Sequence, residues 1–345
     1  MKKEEFSIIV IGAGAIGGIT AAILKKNGYN VELVCGSEDY ATLISFEGVH
    51  VSGVCGDFRM KMPAYASAGE IKERKDLILH ATKATDIVTS SAQLKDILKD
   101  NGHVVSLQNG ICEDALAAIF GTERIIGCVT GWGATFKSRG ELEMTSGGDF
   151  IIGYPDKSPD SLLGDIAEIL SCIVPVRITD NILGHLYSKL IINSCITSLG
   201  AICGMYLGKM LSIRKIRKIF IEIIHEAVKV ADGMKIRIEV FGGKLDFRKF
   251  LEGESLLADL RRHLIIWVVG LKYRRLKSSG LQSLERGRKT EVDFLNGYIV
   301  QNGRQLNILV PLNTAIVEMI HDIEQKKRPV SFENFSDPVF DKFND

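Results

Sequence analysis

The run FSIIVIGAGAIGG at residues 6–18 constrains the fold more than any other feature. Phe6–Ile11 is apolar and β-branched, the signature of a strand buried on both faces. Gly12, Gly14 and Gly17 then form G-x-G-x-x-G, and a helical pattern continues to Lys26. Asn27-Gly28 marks a turn, and Val31–Cys35 reads as a second strand. In a strand–turn–helix of this kind the first glycine permits the tight turn. The second lets the backbone approach a pyrophosphate, and the third lets helix and strand pack closely. The first helical turn, which includes Ala15 and Ile16, offers unpaired N–H groups and a partial positive charge to phosphates. The bland alternative is a structural glycine turn without a ligand. The strand before it, the helix after it and the second strand favour dinucleotide binding.

The second strand is followed by Gly36-Ser37-Glu38-Asp39. An acidic residue at its end favours NAD, and an arginine favours NADP. Glu38 could accept from ribose hydroxyls, whereas Ser37 and nearby N–H groups could hold a 2′-phosphate. Both NADP and NAD stay open on these residues.

Further strands are expected at Leu77–Ala81, His103–Leu107 and Ile125–Val129, with a helix over Asp86–Leu98. Met144–Tyr154 reads as a strand pair and Val174–Ile178 as a short strand. Strands alternating with helices imply a parallel sheet with crossovers. Beyond residue 180 the pattern becomes helical: Ile182–Met205, Ile213–Met234, a stretch around 255–275, Leu281–Asn302, and Pro311–Glu324. Pro311 suits a first helical turn, where its missing N–H costs nothing. The expected fold class is α/β, with an N-terminal Rossmann-type parallel-sheet domain followed by an all-α C-terminal domain. The boundaries are 1–178 for the dinucleotide-binding domain, 179–325 for a helical substrate and catalytic domain, and 326–345 for a tail. Whether the phenylalanine-bearing tail packs on the body stays open.

Two domains suit 345 residues of which 46% are hydrophobic. A net charge of +1 from 43 basic and 42 acidic side chains gives no global attraction to nucleic acid or to an anionic membrane. The cysteines at 35, 55, 112, 128, 172, 195 and 203 form no CxxC pair, which argues against a zinc site or disulfide framework. A reducing, cytoplasmic setting follows. Glu4 and Glu5 interrupt the basic N-terminus, against a signal peptide. Leu264–Leu271 falls far short of the roughly 20 apolar residues that span a bilayer. That segment is read as core or as the contact of a homodimer.

Lys189, Asn193 and Thr197 fall at i, i+4 and i+8 in the apolar stretch Tyr187–Ile202, on roughly one helical face. An unpaired buried ammonium is costly. Either these residues converge on a polar substrate, with lysine donating a proton to a developing alkoxide, or the lysine snorkels to water. Glu291 lies amid Arg286, Arg288 and Lys289, a pattern that taken alone reads as a solvated face. Asn109 follows a strand within SLQNG, where such sheets hold ligands, though Asn-Gly is also a common turn pair. The cluster Lys272, Arg274, Arg275 and Lys277 reads as a solvated face, or as a site for a phosphate or acidic partner.

In this order the segments IGAGAIGG (11–18), HATKATD (80–86), LQNG (107–110), KLIIN (189–193) and SLERGRKTEVDFLNG (283–297) resemble the ketopantoate reductase (2-dehydropantoate 2-reductase) family over nearly the whole chain. The resemblance implies reduction of the 2-keto group of ketopantoate with NADPH, toward pantothenate and coenzyme A. It implies that Lys189 is the general acid and that Glu291 organises lysine and substrate while lying near the cofactor. It further implies that Asn109 and Asn193 contact cofactor and substrate, that Ser279 meets the substrate carboxylate, and that Lys83 lies beside the cofactor. Thr197 joins the expected substrate-binding set. The chain departs from the family at Gly36, where an arginine is usual, at Thr197 in place of asparagine, and at Ser283 in place of aspartate. The stretch 235–277 is also longer. A relative acting on a different 2-keto, 3-hydroxy or opine-type acid, and a dinucleotide sensor without turnover, are the alternatives.

Overall fold

Every residue of β1 (Ser7–Ile11) is buried, as a strand covered on both faces must be. The computed structural model describes residues 3, 5–91, 93–156 and 158–344; Glu4, used above against a signal peptide, lies outside them. The chain divides into two units, residues 1–186 and 187–345.

In the first unit β1 is followed by α1 (Ala15–Lys26), β2 (Asn30–Val34), α2 (Glu38–Phe46), β3 (Val49–Gly53), β4 (Phe58–Met60), β5 (Ala64–Tyr65) and β6 (Lys75–His80). Then come α3 (Ile87–Ser91), β7 (Leu98–Ser106), α4 (Glu113–Phe120), β8 (Ile125–Thr130), β9 (Gly133–Ser138), β10 (Glu141–Ser146), β11 (Phe150–Gly153), α5 (Ser161–Ser171) and β12 (Val176–Ile178). The main sheet has the order β12-β11-β8-β7-β6-β1-β2-β5. Its pairs from β5 to β8 are all parallel, and β11 joins β8 antiparallel. Strand order reverses where β1 pairs with both β2 and β6. In open α/β sheets ligands bind at the carboxyl ends of the strands at that point.

A second sheet, β4-β3-β10-β9, carries no expected element except part of Met144–Tyr154. The two strands of that segment do not pair with each other. β10 bonds β3 and β9, whereas β11 bonds β8 and β12 in the main sheet. Helix α1 lies between the sheets, and its two adjacent glycines explain how. A Cβ at Gly17 would lie 2.0 Å from the Gly12 carbonyl oxygen, on the main-sheet side. A Cβ at Gly18 would lie 2.4 Å from Leu142 Cδ1 of β10.

The second unit is built from α6 (Ile182–Cys203), which begins in the first unit, α7 (Leu207–Ser212), α8 (Arg214–Gly233), α9 (Phe247–Leu251), α10 (Leu256–Lys272), α11 (Ser279–Glu285), α12 (Asn296–Gln305) and α13 (Pro311–Glu324). The helix expected over Leu281–Asn302 is two helices. The chain turns at Gly287, whose φ of +65° only glycine adopts without strain. Among the described residues the helix expected over Asp86–Leu98 is α3, residues 93–97 form turns, and Leu98 opens β7.

Helix α6 is long and apolar enough to cross a membrane by length and composition, yet 78% of its most apolar window is buried. A core helix accounts for that. Its polar side chains join a buried network. Ser198 Oγ donates to Asn296 Oδ1, and Asn296 Nδ2 donates to Asn313 Oδ1 at 2.8 Å. Asn313 Nδ2 in turn donates to Glu226 Oε2 at 2.7 Å. Glu226 of α8 also accepts the Leu312 and Asn313 N–H groups, each at 2.9 Å. It thereby satisfies the open N-terminus of α13, which Pro311 begins and no side chain of its own segment caps. Past α13 the tail packs on the second unit, with Phe335, Phe340 and Phe343 buried.

Candidate active site

In the first unit the expected cofactor residues gather at the carboxyl ends of β1, β2, β6 and β7, which are neighbours in the sheet. Gly12 leaves β1 with φ +105°, a conformation that favours glycine. Its N–H donates to the Val34 carbonyl at 2.9 Å, and a Cβ on it would lie 2.9 Å from Ala81 and Thr82 backbone atoms. Gly14 is the N-cap of α1, has no capping side chain, and would place a Cβ in open space. Ala15, Ile16 and Gly17 open the helix behind it. A turn held this closely, facing open space at an uncapped helix N-terminus, fits a pyrophosphate. Ser37, half-buried, is the N-cap of α2 at the end of β2, and Glu38 and Asp39 stand in that helix's first turn.

Lys83 follows β6 and is half-buried. Its carbonyl accepts from Gln108 Nε2 at 3.3 Å, which ties the β6 loop to the loop after β7. Asn109, also half-buried, is the next residue, and its carbonyl accepts from Cys112 Sγ at 3.6 Å. The structure therefore brings the β6 and β7 loops together around Gln108, a residue that the motif reading did not single out.

Two buried titratable groups underlie this edge and were also missed. His80, at the end of β6, is fully buried. Burial pushes its imidazole down to about 4, with the Gln108 side chain opposing. It is neutral near pH 7, and its Nε2 lies 3.1 Å and 3.0 Å from the Ser90 and Ser91 hydroxyls. Glu113, the first residue of α4, is also buried, and its Oε2 accepts the Cys112 N–H at 2.9 Å. Burial pushes its carboxyl up from 4.5 to about 7.

The raised Glu113 value has a definite sign. Between pH 4.5 and about 7 the folded chain keeps a proton that the unfolded chain loses. The unfolded state then binds fewer protons, so stability falls as pH rises through that window. The loss is on the order of 3 kcal/mol and complete above the folded value. Glu113→Gln keeps an oxygen for the Cys112 N–H and cannot ionise. Thermal melts are expected to show the variant matching wild type near pH 5 and exceeding it by several degrees at pH 8. An equal offset at both pH values would contradict the assignment.

In the second unit α6 carries Lys189, Asn193 and Thr197 as the spacing predicts. Lys189 and Asn193 are half-buried and line up with half-buried His185 and Ile196, while Leu190, Ile191, Ser194 and Cys195 are buried. The pair thus occupies the less covered stripe of an otherwise buried helix. Thr197 is more deeply placed, 7% exposed, and its Oγ1 lies 3.4 Å from Oγ of exposed Ser279, the first residue of α11. The departure at Thr197 and the matched serine are therefore neighbours. Glu291, half-buried, opens the short 3₁₀ turn Val292–Phe294 between α11 and α12. Ser283 lies within α11.

The strand order β5-β2-β1-β6-β7-β8, with a glycine turn at its reversal, defines a Rossmann-type dinucleotide-binding protein with a helical second unit. Comparisons with known proteins narrow this class. The family described as ketopantoate reductase PanE/ApbA matches residues 8–157, and its C-terminal counterpart matches residues 181–324. The chain belongs to the ketopantoate reductase family. It is 30% identical over 318 residues to the 2-dehydropantoate 2-reductase of Pyrococcus horikoshii, covering 91% of this chain and 96% of that one. The enzyme of the same name from Pyrococcus abyssi is 27% identical over 314 residues, with coverage of 91% and 96%. The crystal structure of a PanE/ApbA family ketopantoate reductase from Ralstonia eutropha JMP134 superposes with a TM-score of 0.80 at 25% identity, covering 93% of this chain and 99% of that one.

Proposed function

We propose that this chain is a 2-dehydropantoate 2-reductase, reducing ketopantoate to pantoate with a reduced nicotinamide dinucleotide in the route to pantothenate and coenzyme A. The observation that carries this reading is the half-buried Lys189–Asn193 stripe on a core helix, in a chain whose glycine turn and uncapped α1 N-terminus fit a pyrophosphate. Residues 1–178 are assigned to dinucleotide binding, and residues 179–325 to substrate and catalysis. The partners are a small 2-keto acid and a second copy of the chain. The seven free cysteines suit a cytoplasmic location.

When bound, the reduced nicotinamide supplies a hydride to the ketone carbon. The chain's own residues do the rest. The N–H groups of Ala15, Ile16 and Gly17 hold the pyrophosphate, with Gly12 and Gly14 keeping the backbone close to it. Ser37 meets the adenosine ribose or its 2′-phosphate, and Lys83 and Asn109 position the nicotinamide end. Lys189 Nζ gives its proton to the ketone oxygen as negative charge develops there. Asn193 orients the substrate, Glu291 organises the lysine and contacts the cofactor, and Ser279 with Thr197 receives the carboxylate.

NADPH is assigned as the preferred reductant and NADH as an accepted one. The Ser37 hydroxyl makes no cap bond to α2, which leaves it available to a phosphate, whereas Glu38 and Asp39 oppose one. The contact of Thr197 with Ser279 favours one second reading, a different 2-keto acid, because a family departure touches the residue assigned to the carboxylate. A panel of keto acids with NADPH and NADH decides. The highest kcat/KM is expected for ketopantoate with NADPH. A higher value for another keto acid would establish the second reading, and binding without oxidation by any acid would leave a sensor.

A further inference from the structure

The second sheet carries none of the expected dinucleotide residues, yet one side chain ties it to the glycine turn. Tyr40, in the first turn of α2, is buried. Its hydroxyl donates to the carbonyl of Ala13, between Gly12 and Gly14, at 3.1 Å. The same oxygen accepts the N–H of Gly140, in the turn that joins β9 to β10, at 3.3 Å. Burial pushes the phenol above its ordinary value, so the hydroxyl keeps at neutral pH the proton that it donates to Ala13. We propose that Tyr40 is a positioning residue for the dinucleotide, using the second sheet to hold the glycine turn in its binding conformation. The inference rests on the reading of that turn as a pyrophosphate site.

Glycine is conformationally permissive, so a turn with glycines on both sides of Ala13 has several backbone conformations open to it. A buried carbonyl with a fixed donor selects among them, because leaving that carbonyl unpaired is costly. The Ala13–Gly14 peptide is planar and trans, so its C=O and N–H point in opposite directions. Holding the Ala13 carbonyl on Tyr40 therefore turns the Gly14 N–H away from the Tyr40 side. The donor is itself held from both sides. Gly140 has φ +77°, and its carbonyl accepts the His50 N–H of β3 at 2.8 Å. A Cβ on Gly140 would lie 2.7 Å from Leu43 Cδ2 of α2. The Tyr40 ring meets Phe136 of β9 edge-on, with centroids 6.3 Å apart, and the Arg139 guanidinium carbon lies 5.9 Å from the ring centre. The hydroxyl is thus fixed in place and cannot follow a turn that rearranges.

Tyr40→Phe tests this in the full chain, since it keeps the ring and its packing and removes the hydroxyl alone. Fluorescence titration with NADPH in the absence of keto acid is expected to give a Kd about tenfold above wild type. That shift corresponds to a turn that spends about nine-tenths of its time outside the binding conformation. KM for NADPH should rise in step, while kcat at saturating NADPH and KM for ketopantoate stay within about twofold of wild type. The ligand-free melting temperature should fall by only a few degrees, the effect of one lost buried hydrogen bond. A lower melting temperature with Kd within about twofold of wild type would leave Tyr40 a packing residue and overturn the inference. A fall in kcat with Kd unchanged would overturn it too. Failure of wild type itself to bind NADPH would strike the dinucleotide reading and the inference together, whereas equal binding by both proteins strikes the inference alone.

Discussion

Replacing Lys189 with alanine is expected to lower kcat by about 10²–10⁴, the usual contribution of a positioned general acid, while dinucleotide affinity stays within about twofold of wild type. The asymmetry follows from where the residue lies. Lys189 is on α6 in the second unit, whereas the glycine turn, Ser37, Lys83 and Asn109 all lie on strand ends of the first. On the proposed roles, removing the ammonium removes a proton donor and no part of the pyrophosphate cradle. Position on the less covered stripe also separates this change from a packing defect, since Leu190 and Ile191 keep the buried side of the helix intact. Stopped-flow turnover and fluorescence titration of NADPH measure the two quantities. A fall in kcat of less than tenfold would remove Lys189 from the chemistry, and a parallel loss of dinucleotide affinity would move it to binding.

The glycines of the turn should fail in two different ways. A Cβ at Gly17 would lie 2.0 Å from the Gly12 carbonyl oxygen and 2.9 Å from Ala81 Cβ, so Gly17→Ala forces α1 away from the sheet. Overpacking of this kind costs about 1–3 kcal/mol or more, and the displaced N-terminus also loses its ligand. Both the melting temperature and dinucleotide affinity should fall, the latter by about a hundredfold. Gly14→Ala meets no atom within 4 Å, and its backbone is extended. The ligand-free melting temperature should therefore stay near wild type. Affinity alone should fall, because the new methyl group occupies the space where the pyrophosphate approaches. Melting curves with and without NADPH separate the outcomes. If Gly14→Ala bound normally, the phosphate would not lie at this turn.

Elements with a strong local pattern were legible in the sequence. β1, α1 and β2 follow from an apolar run, a glycine turn and Asn27-Gly28, and α13 begins at Pro311 as its chemistry requires. The second sheet was not legible because its strands are short and partly exposed, with His50 and Arg59 on paired strands bonded to Glu141 of β10. Those bonds join residues far apart in sequence, which no local periodicity reveals. Met144–Tyr154 shows the same limit, since two adjacent strands went to different sheets. Within the candidate site, the glycines and the Lys189–Asn193 spacing could be read locally. Gln108, His80 and Glu113 could not, because what distinguishes them is burial created by the folded sheet. The Ser198–Asn296–Asn313–Glu226 network draws on four helices.

The most direct measurement is product stoichiometry. Purified protein is mixed with limiting NADPH and excess ketopantoate, and pantoate and oxidised dinucleotide are quantified by chromatography. One pantoate formed for each NADPH consumed, with both formed about 10²–10⁴ times more slowly in Lys189→Ala, is the expected result. NADPH left unoxidised while ketopantoate stays intact would contradict it.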